Sequence, residues 1–404
     1  MADKMQWANA LSTRPSLEAA VADVVQQAVS SLTAPADLGL VFISSAFTSE
    51  YSRLLPLLAE KLSVPVLIGC SAAGVVGRTE LGKTQEIEAE PAISLTLAHL
   101  PGVNIQAFHV VAEELPDLDS SPDAWIDVVG VPPSPVPQFI LLSSAFSSGT
   151  NDLLQGLDFA YPGSVVVGGQ ANGGFVSDRI ALFCHNRLYR EGTVGLALSG
   201  DIVLETIVAQ GCRPIGQPLR VTKAERNIIL ELDEQVPLVI LRDLIGSLSE
   251  QERLLAQHSL FVGLAMNEFK PSLQQGDFLI RNLLGVDPSA GAIAIGDRVR
   301  PGQRLQFHLR DAQASAEDLE LLLQEYLDNN RSESSPLAAL MFSCVGRGAG
   351  LYGQPNFDSQ LFKRYFHDIP IGGFFGSGEI GPVSERTFLH GYTSVFAICR
   401  QLNS

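Results

Sequence analysis

The stretch Phe139-Ile140-Leu141-Leu142-Ser143-Ser144-Ala145-Phe146 echoes Val41-Phe42-Ile43-Ser44-Ser45-Ala46-Phe47. A second anchor moves with it: Ser44 to Ser143 and Gly69 to Gly168 are both 99 residues apart. Two anchors with one offset point to an internal duplication, with Ser44 expected to lie over Ser143. In the first copy an apolar run over 38–43 precedes a polar-apolar helical stretch over 49–62. A second apolar run over 64–68 ends in Gly69-Cys70-Ser71. Short apolar strands on either side of a helix favour a parallel βαβ unit. A fainter third copy ends in Leu340-Met341-Phe342-Ser343-Cys344, with Ile369-Pro370-Ile371 echoing Val64-Pro65-Val66. Its anchors shift by 299 and 305 residues, which requires an insertion between them. The expected fold class is α/β: duplicated βαβ units with parallel strands, a strand-rich middle and a C-terminal α/β unit.

Other segments fit around this frame. Leu17, Ala20, Val21, Val24, Ala28 and Leu32 recur at helical spacing and predict an opening amphipathic helix. Pro132 to Pro137 reads as a stiff connector between the first two copies. Leu305, Phe307 and Leu309 alternate with Gln306, His308 and Arg310, as in a half-buried strand, and a helix follows over 316–327.

Composition bounds the function. Of 404 residues, 46% are hydrophobic and 18% charged, which favours extensive burial over disorder. The formal net charge of −17 repels phosphate backbones and anionic lipid heads, and argues against nucleic acid as a partner. The first residues carry no signal-peptide core, and no apolar run reaches the roughly 18 residues of a spanning helix. A cytoplasmic location is the expectation. Cys70, Cys184, Cys212, Cys344 and Cys399 are scattered and form no CxxC pair. Reduced thiols fit this better than a disulfide framework or a zinc site. No metal or cofactor is expected.

In a parallel βαβ sheet, ligands bind beyond the carboxyl ends of the strands. The first copy places Ser44, Ser45, Cys70, Ser71 and Gly74 there, and the second Ser143, Ser144, Gly168, Gly169, Gln170 and Asn172. Hydroxyls, an amide and backbone N–H groups suit a carboxylate or phosphate. Ser and Gly are equally favoured in strand-to-helix turns with no ligand. Gly211 to Gly216 reads as a turn joining two strands, with Arg213 as an anion clamp or as a brace of that turn. Arg281-Asn282, at the end of another apolar strand, has the same two readings. The densest stretch holds Cys344 and Arg347 among glycines, then Glu379, then His390. Arg347 suits an anion, Glu379 a ligand amine, and His390 titration near neutral pH. A pairing of Glu379 with Arg347 that only braces glycine-rich turns is the competing reading.

FSCVGRG, GFFGSGEIGP and LHGYT resemble the C-terminal signature of the FIST family. GCRPIG, RNLLGVDPSAGAIAIGD and GQRLQFHLRDA resemble its central blocks, and SSAF with GCSAAG its N-terminal part. The resemblance spans roughly residues 10 to 400, as an N-terminal-like domain over 10–220 and a C-terminal-like domain over 221–404. It implies a sensory module that binds small ligands, amino acids among them, and is fused or linked to signalling parts. Some eukaryotic members carry an F-box. No recognisable output segment flanks the resembling region, so a separate signalling or assembly protein is the expected partner.

Three functions follow. The first is non-catalytic sensing of a small ligand, an amino acid or another small anion, at the strand ends. The second is a scaffold or assembly factor acting through its surface. The third is a thiol-dependent enzyme, with Cys70, Cys212 or Cys344 as nucleophile near His390.

Overall fold

The computed structural model describes residues 4–173, 179–330, 334–367 and 369–402. The chain forms two compact units. The first comprises the residues up to 208, then 322–389, and those from 393 on; the second comprises 209–321 with 390–392.

The first unit is built from one pattern used three times. Each copy runs strand, helix, strand, helix, strand, two-stranded hairpin, strand. The opening strands are Gln6–Ser12, Val103–Val110 and Ile202–Gln210. The central strands are Leu38–Ser44, Gln138–Ser144 and Ala338–Cys344. Each pairs in parallel with the strand that follows its helix: Val66–Ala72, Val166–Ala171 and Ile371–Gly376. On its other side each central strand meets the closing strand of its own copy in antiparallel fashion. The helices follow from their sequences. Ser16 accepts the Ala19 N–H and caps Leu17–Ser30, whose apolar face packs on Val41, Ile43 and Leu95.

The hairpins are exchanged between copies. The hairpin Gly74–Arg78/Thr84–Glu88 of the first copy pairs with the third copy's sheet. The second copy's hairpin, Leu182–Cys184/Arg187–Tyr189, joins the first sheet. The third copy's, Glu379–Val383/Arg386–His390, joins the second sheet. Each of the three sheets thus has six strands in one equivalent order. Their inner faces share one apolar core containing Phe42, Leu142, Phe342 and Phe374.

Three glycines align the copies. A Cβ on Gly69 would lie 2.0 Å from the Val41 carbonyl oxygen, and one on Gly168 or Gly373 would lie 1.9 Å from that of Leu141 or Met341. Val41, Leu141 and Met341 are therefore equivalent. Ser44 corresponds to Ser144 and Cys344, and not to Ser143 as the sequence match suggests. Matching bonds from Ser44 N–H to the Ala92 carbonyl and from Ser144 N–H to the Gly192 carbonyl agree. The central strand shifts by 100 residues and its partner by 99, because the second copy is one residue shorter between them.

The second unit lies, in sequence, between the opening strand and first long helix of the third copy. It lies ahead of both anchors of the third copy; the insertion between those anchors is the longer stretch from Met341 to Gly373, 32 residues against 28 from Val41 to Gly69. The second unit's strands close into a barrel of six: Cys212–Glu225, Ile228–Leu232, Ala292–Ile295, Phe278–Asp287, Leu260–Ala265 and Arg304–Arg310. Residues 212–216 are not a turn but the start of a long strand paired with Arg304–Arg310, which absorbs its Pro and Gly through a register shift after Ile215. Arg281 and Asn282 are likewise strand interior, paired with Val262 and Phe261. Strand Arg304–Arg310 is buried on both faces, because Gln306 bonds the Gly216 carbonyl and His308 packs edge-on against Phe278. Among the described residues no helix is long and apolar enough to cross a membrane.

Candidate functional site

The third copy departs from the other two at specific places. Arg347 lies three residues beyond its central strand. The Arg347 N–H bonds the Cys344 carbonyl at 2.8 Å, as Ser147 N–H bonds the Ser144 carbonyl at 3.0 Å. The same position in the first copy is Phe47, buried among Tyr51 and Leu54. Arg347 is fully buried too. The fold therefore has an apolar solution for this position, and the third copy uses a charge instead.

Glu379 shows the same departure. It pairs with Gly169, one step from the Gly168–Ile380 pair. The equivalent hairpin strands pair Gly69 with Phe183 and Gly373 with Val76. The counterparts of Glu379 are thus Leu182 and Val75, both wholly buried in the shared apolar core. Glu379 is buried as completely as either.

Around these two residues lies a buried ionic cluster. Arg347 Nε donates to Asp358 Oδ2 at 2.7 Å and its Nη2 to Asp358 Oδ1 at 3.0 Å. Nη2 also reaches the Tyr352 hydroxyl at 2.6 Å, and that hydroxyl donates to Asp358 at 2.8 Å. Such a two-pronged pair is the strongest geometry open to an arginine. Burial raises the Tyr352 phenol, so it stays a neutral donor. Glu86, from the exchanged hairpin, accepts the Ser359 N–H at 2.7 Å, and its other oxygen is buried with no partner. Burial first, and then the Asp358 charge, push its carboxyl up to about 7.

Burial also lifts the Glu379 carboxyl well above the usual carboxylate range. The Thr393 N–H at 3.1 Å, the Arg347 charge and a hydrogen bond from the Cys344 thiol only partly offset this. Glu379 Oε1 finds no nitrogen or oxygen partner. One guanidinium thus faces three carboxyls, of which Asp358 balances it. The other two favour the protonated form. Buried polar groups without partners are costly and are rare outside sites that use them.

The other strand-end candidates are engaged within the fold, by backbone or side-chain partners. Ser44 Oγ accepts the Ala92 N–H and Ser71 Oγ the Ala181 N–H, each at 3.0 Å. Ser143 Oγ lies 2.6 Å from Thr150 Oγ1 and accepts from Thr193 Oγ1. Ser144 Oγ accepts the Phe146 N–H, and Asn172 Nδ2 donates to Ser377 Oγ. Ser45 opens a short 3-10 turn, and Gly169 is the backbone partner of Glu379. Cys70 lies in the apolar core, where burial raises its thiol and disfavours the thiolate.

Four candidates fall in the barrel unit. Arg213 pairs with Glu252 at 2.9 Å and Asp311 at 3.6 Å. The Ser249 N–H, the Arg213 guanidinium and the Ser249 hydroxyl bring Glu252 down to about 2. Arg281 pairs with Asp297 at 2.7 Å, and Asn282 accepts the Tyr392 hydroxyl. His390 is buried. Of the candidates, the structure brings Cys344, Arg347 and Glu379 together. Sequence reasoning missed Glu86, Tyr352 and Asp358. Glu86 comes from another copy's hairpin, and no spacing rule links it to Asp358.

A FIST N domain model matches residues 37–235, and a FIST C domain model matches 237–382. An uncharacterized protein of Mycobacterium tuberculosis is 34% identical over 96% of this chain and 98% of its own. An uncharacterized protein of Mycobacterium bovis is 34% identical over 96% of each chain. An F-box/LRR-repeat protein of Arabidopsis thaliana is 24% identical over 88% of this chain and 79% of its own. FIST domains are generally regarded as sensory, ligand-binding domains. Matched over most of its length, and to relatives at this identity, the chain belongs to the FIST family.

Proposed function

We propose that the chain is a non-catalytic sensory module whose ligand is received by the buried cluster around Glu379 and Arg347. The observation that supports this is the placement of Glu379 where the sister copies hold Val75 and Leu182. Packing alone favours an apolar residue there, and a buried acid is retained at a cost in stability.

The ligand class follows from the charge balance. Asp358 and Tyr352 already engage the Arg347 guanidinium, so Arg347 fixes the cluster in place. Glu379 has an oxygen to offer, and an amine or other small cation replaces its proton. Because Arg347, Asp358 and Glu379 are fully buried, entry requires local opening of the structure over them. Occupancy then shifts a conformational equilibrium, which is the physical content of sensing.

A thermal-shift screen of amino acids and small primary amines tests this, run on wild type and Glu379→Gln. A ligand that binds only the folded state raises Tm. The expectation is a rise in wild type that Glu379→Gln abolishes, with the unliganded variant at least as stable. An equal rise in both proteins would refute the role of Glu379.

A further inference from the structure

A cleft of about 600 Å³ opens beside the strand Gln6–Ser12 in the first unit. One wall comes from the second half of the helix Leu17–Ser30 and the residue after it; another is the turn of the hairpin that begins at Gly74. No residue of the Arg347 cluster lines it. Its size is that of an ordinary small-molecule site.

Its lining offers hydrogen-bonding groups that the protein itself leaves unused. The Arg78 guanidinium, the Gln26 amide and the Glu80 carboxylate make no hydrogen bond or ion pair among the described residues. Trp7 also lines the cleft; it is only 9% exposed, and its indole N–H is buried without a partner. Beside it, Asn9 Nδ2 donates to Ser94 Oγ at 3.1 Å and Thr96 Oγ1 at 2.8 Å, while Asn9 Oδ1 accepts the Arg78 N–H at 2.6 Å. Asn9 thereby pins the base of the turn that carries Arg78.

The repeat again separates what the fold needs from what it does not. Strand pairing makes Trp7 and Asn9 equivalent to Ile105 and Ala107, and Ser94 and Thr96 equivalent to Val194 and Leu196. At these four strand positions the second copy uses only apolar residues. The polar set of the first copy is an addition to a fold that stands without it.

We propose that this cleft binds a neutral, polyhydroxylated small molecule of saccharide type. Asp23 and Glu80 oppose an anion, and Arg78 opposes a cation. A hydroxyl both donates and accepts, so it pairs with an amide, a carboxylate and a guanidinium alike. Trp7 borders the cleft with the small exposed part of a largely buried ring, which makes its emission a reporter of occupancy.

The chain has two tryptophans, so Trp125→Phe leaves Trp7 as the only indole reporter. That protein is titrated with glucose, ribose, inositol and trehalose, and separately with inorganic phosphate. At least one polyol should give a saturable change in Trp7 emission. Gln26→Ala and Arg78→Ala, both at exposed positions, should each weaken it at least fivefold without moving Tm. No saturable change with any polyol would overturn the proposal, as would a change that both variants leave intact. Saturation by phosphate alone would overturn the neutral ligand class.

Discussion

Asp358→Ala is expected to destabilise the first unit by about 3–5 kcal/mol, the range for breaking one side of a buried ion pair. Both carboxylate oxygens of Asp358 serve Arg347, and the guanidinium has no solvent to fall back on. Removing the acid strands a cation in a closed interior and also takes away the acceptor of the Tyr352 hydroxyl. The double variant Arg347→Met, Asp358→Leu should recover most of the loss, since Phe47 shows that the position accepts an apolar side chain. Urea unfolding of the three proteins reads this out. A loss below about 1 kcal/mol in the single variant would mean that the pair behaves like an exposed one.

The second large effect is on pH. Glu86 has its carboxyl pushed up to about 7 in the folded protein, against 4.5 for an ordinary glutamate. Between those values the folded state holds a proton that the unfolded chain has released. Stability therefore falls as pH rises from about 4.5 towards 7, and the full cost is present above 7. At 1.36 kcal/mol per unit the cost is on the order of 3 kcal/mol. Glu86→Gln keeps an acceptor for the Ser359 N–H and removes the titration. The variant should match wild type near pH 4.5 and exceed its stability at pH 8. Identical pH profiles for the two proteins would rule out Glu86 as the titrating group.

The sequence showed the repeated unit because its signal is local. Two apolar runs and a helix lie within one stretch of chain, and a shared Ser-Ser-Ala-Phe marks the copies. Residue identity aligns Ser44-Ser45 with Ser143-Ser144, one residue away from the structural register. Geometry matches the copies by backbone contact, through Gly69, Gly168 and Gly373. The hairpin exchange left no local trace, since each hairpin is paired with a sheet from a different copy. That exchange is also what hid the site. Arg347 and Glu379 stood out as charges among glycines, but Glu86 arrives from residues almost three hundred positions away. Arg213 and Arg281 stood out for the same reason, and in the barrel each is held by carboxylates of its own unit. A charge among small residues signals a site or a brace equally well. Comparison with the sister copies adds an observation the sequence lacks: Glu379 stands where those copies use Val75 and Leu182, and Arg347 where they use Phe47 and Ser147.

The central claim is that Glu379 is a ligand-exchangeable acid rather than a structural one. Calorimetric titration of a cationic ligand from the screen, in two buffers of different ionisation enthalpy, measures the protons released on binding. At pH 7 binding to wild type should release protons, because the cation displaces the proton that burial favours on Glu379. Glu379→Gln should bind weakly or not at all, and any residual binding should release none. Tight binding by wild type with no proton release, or equal release by the variant, would contradict the account.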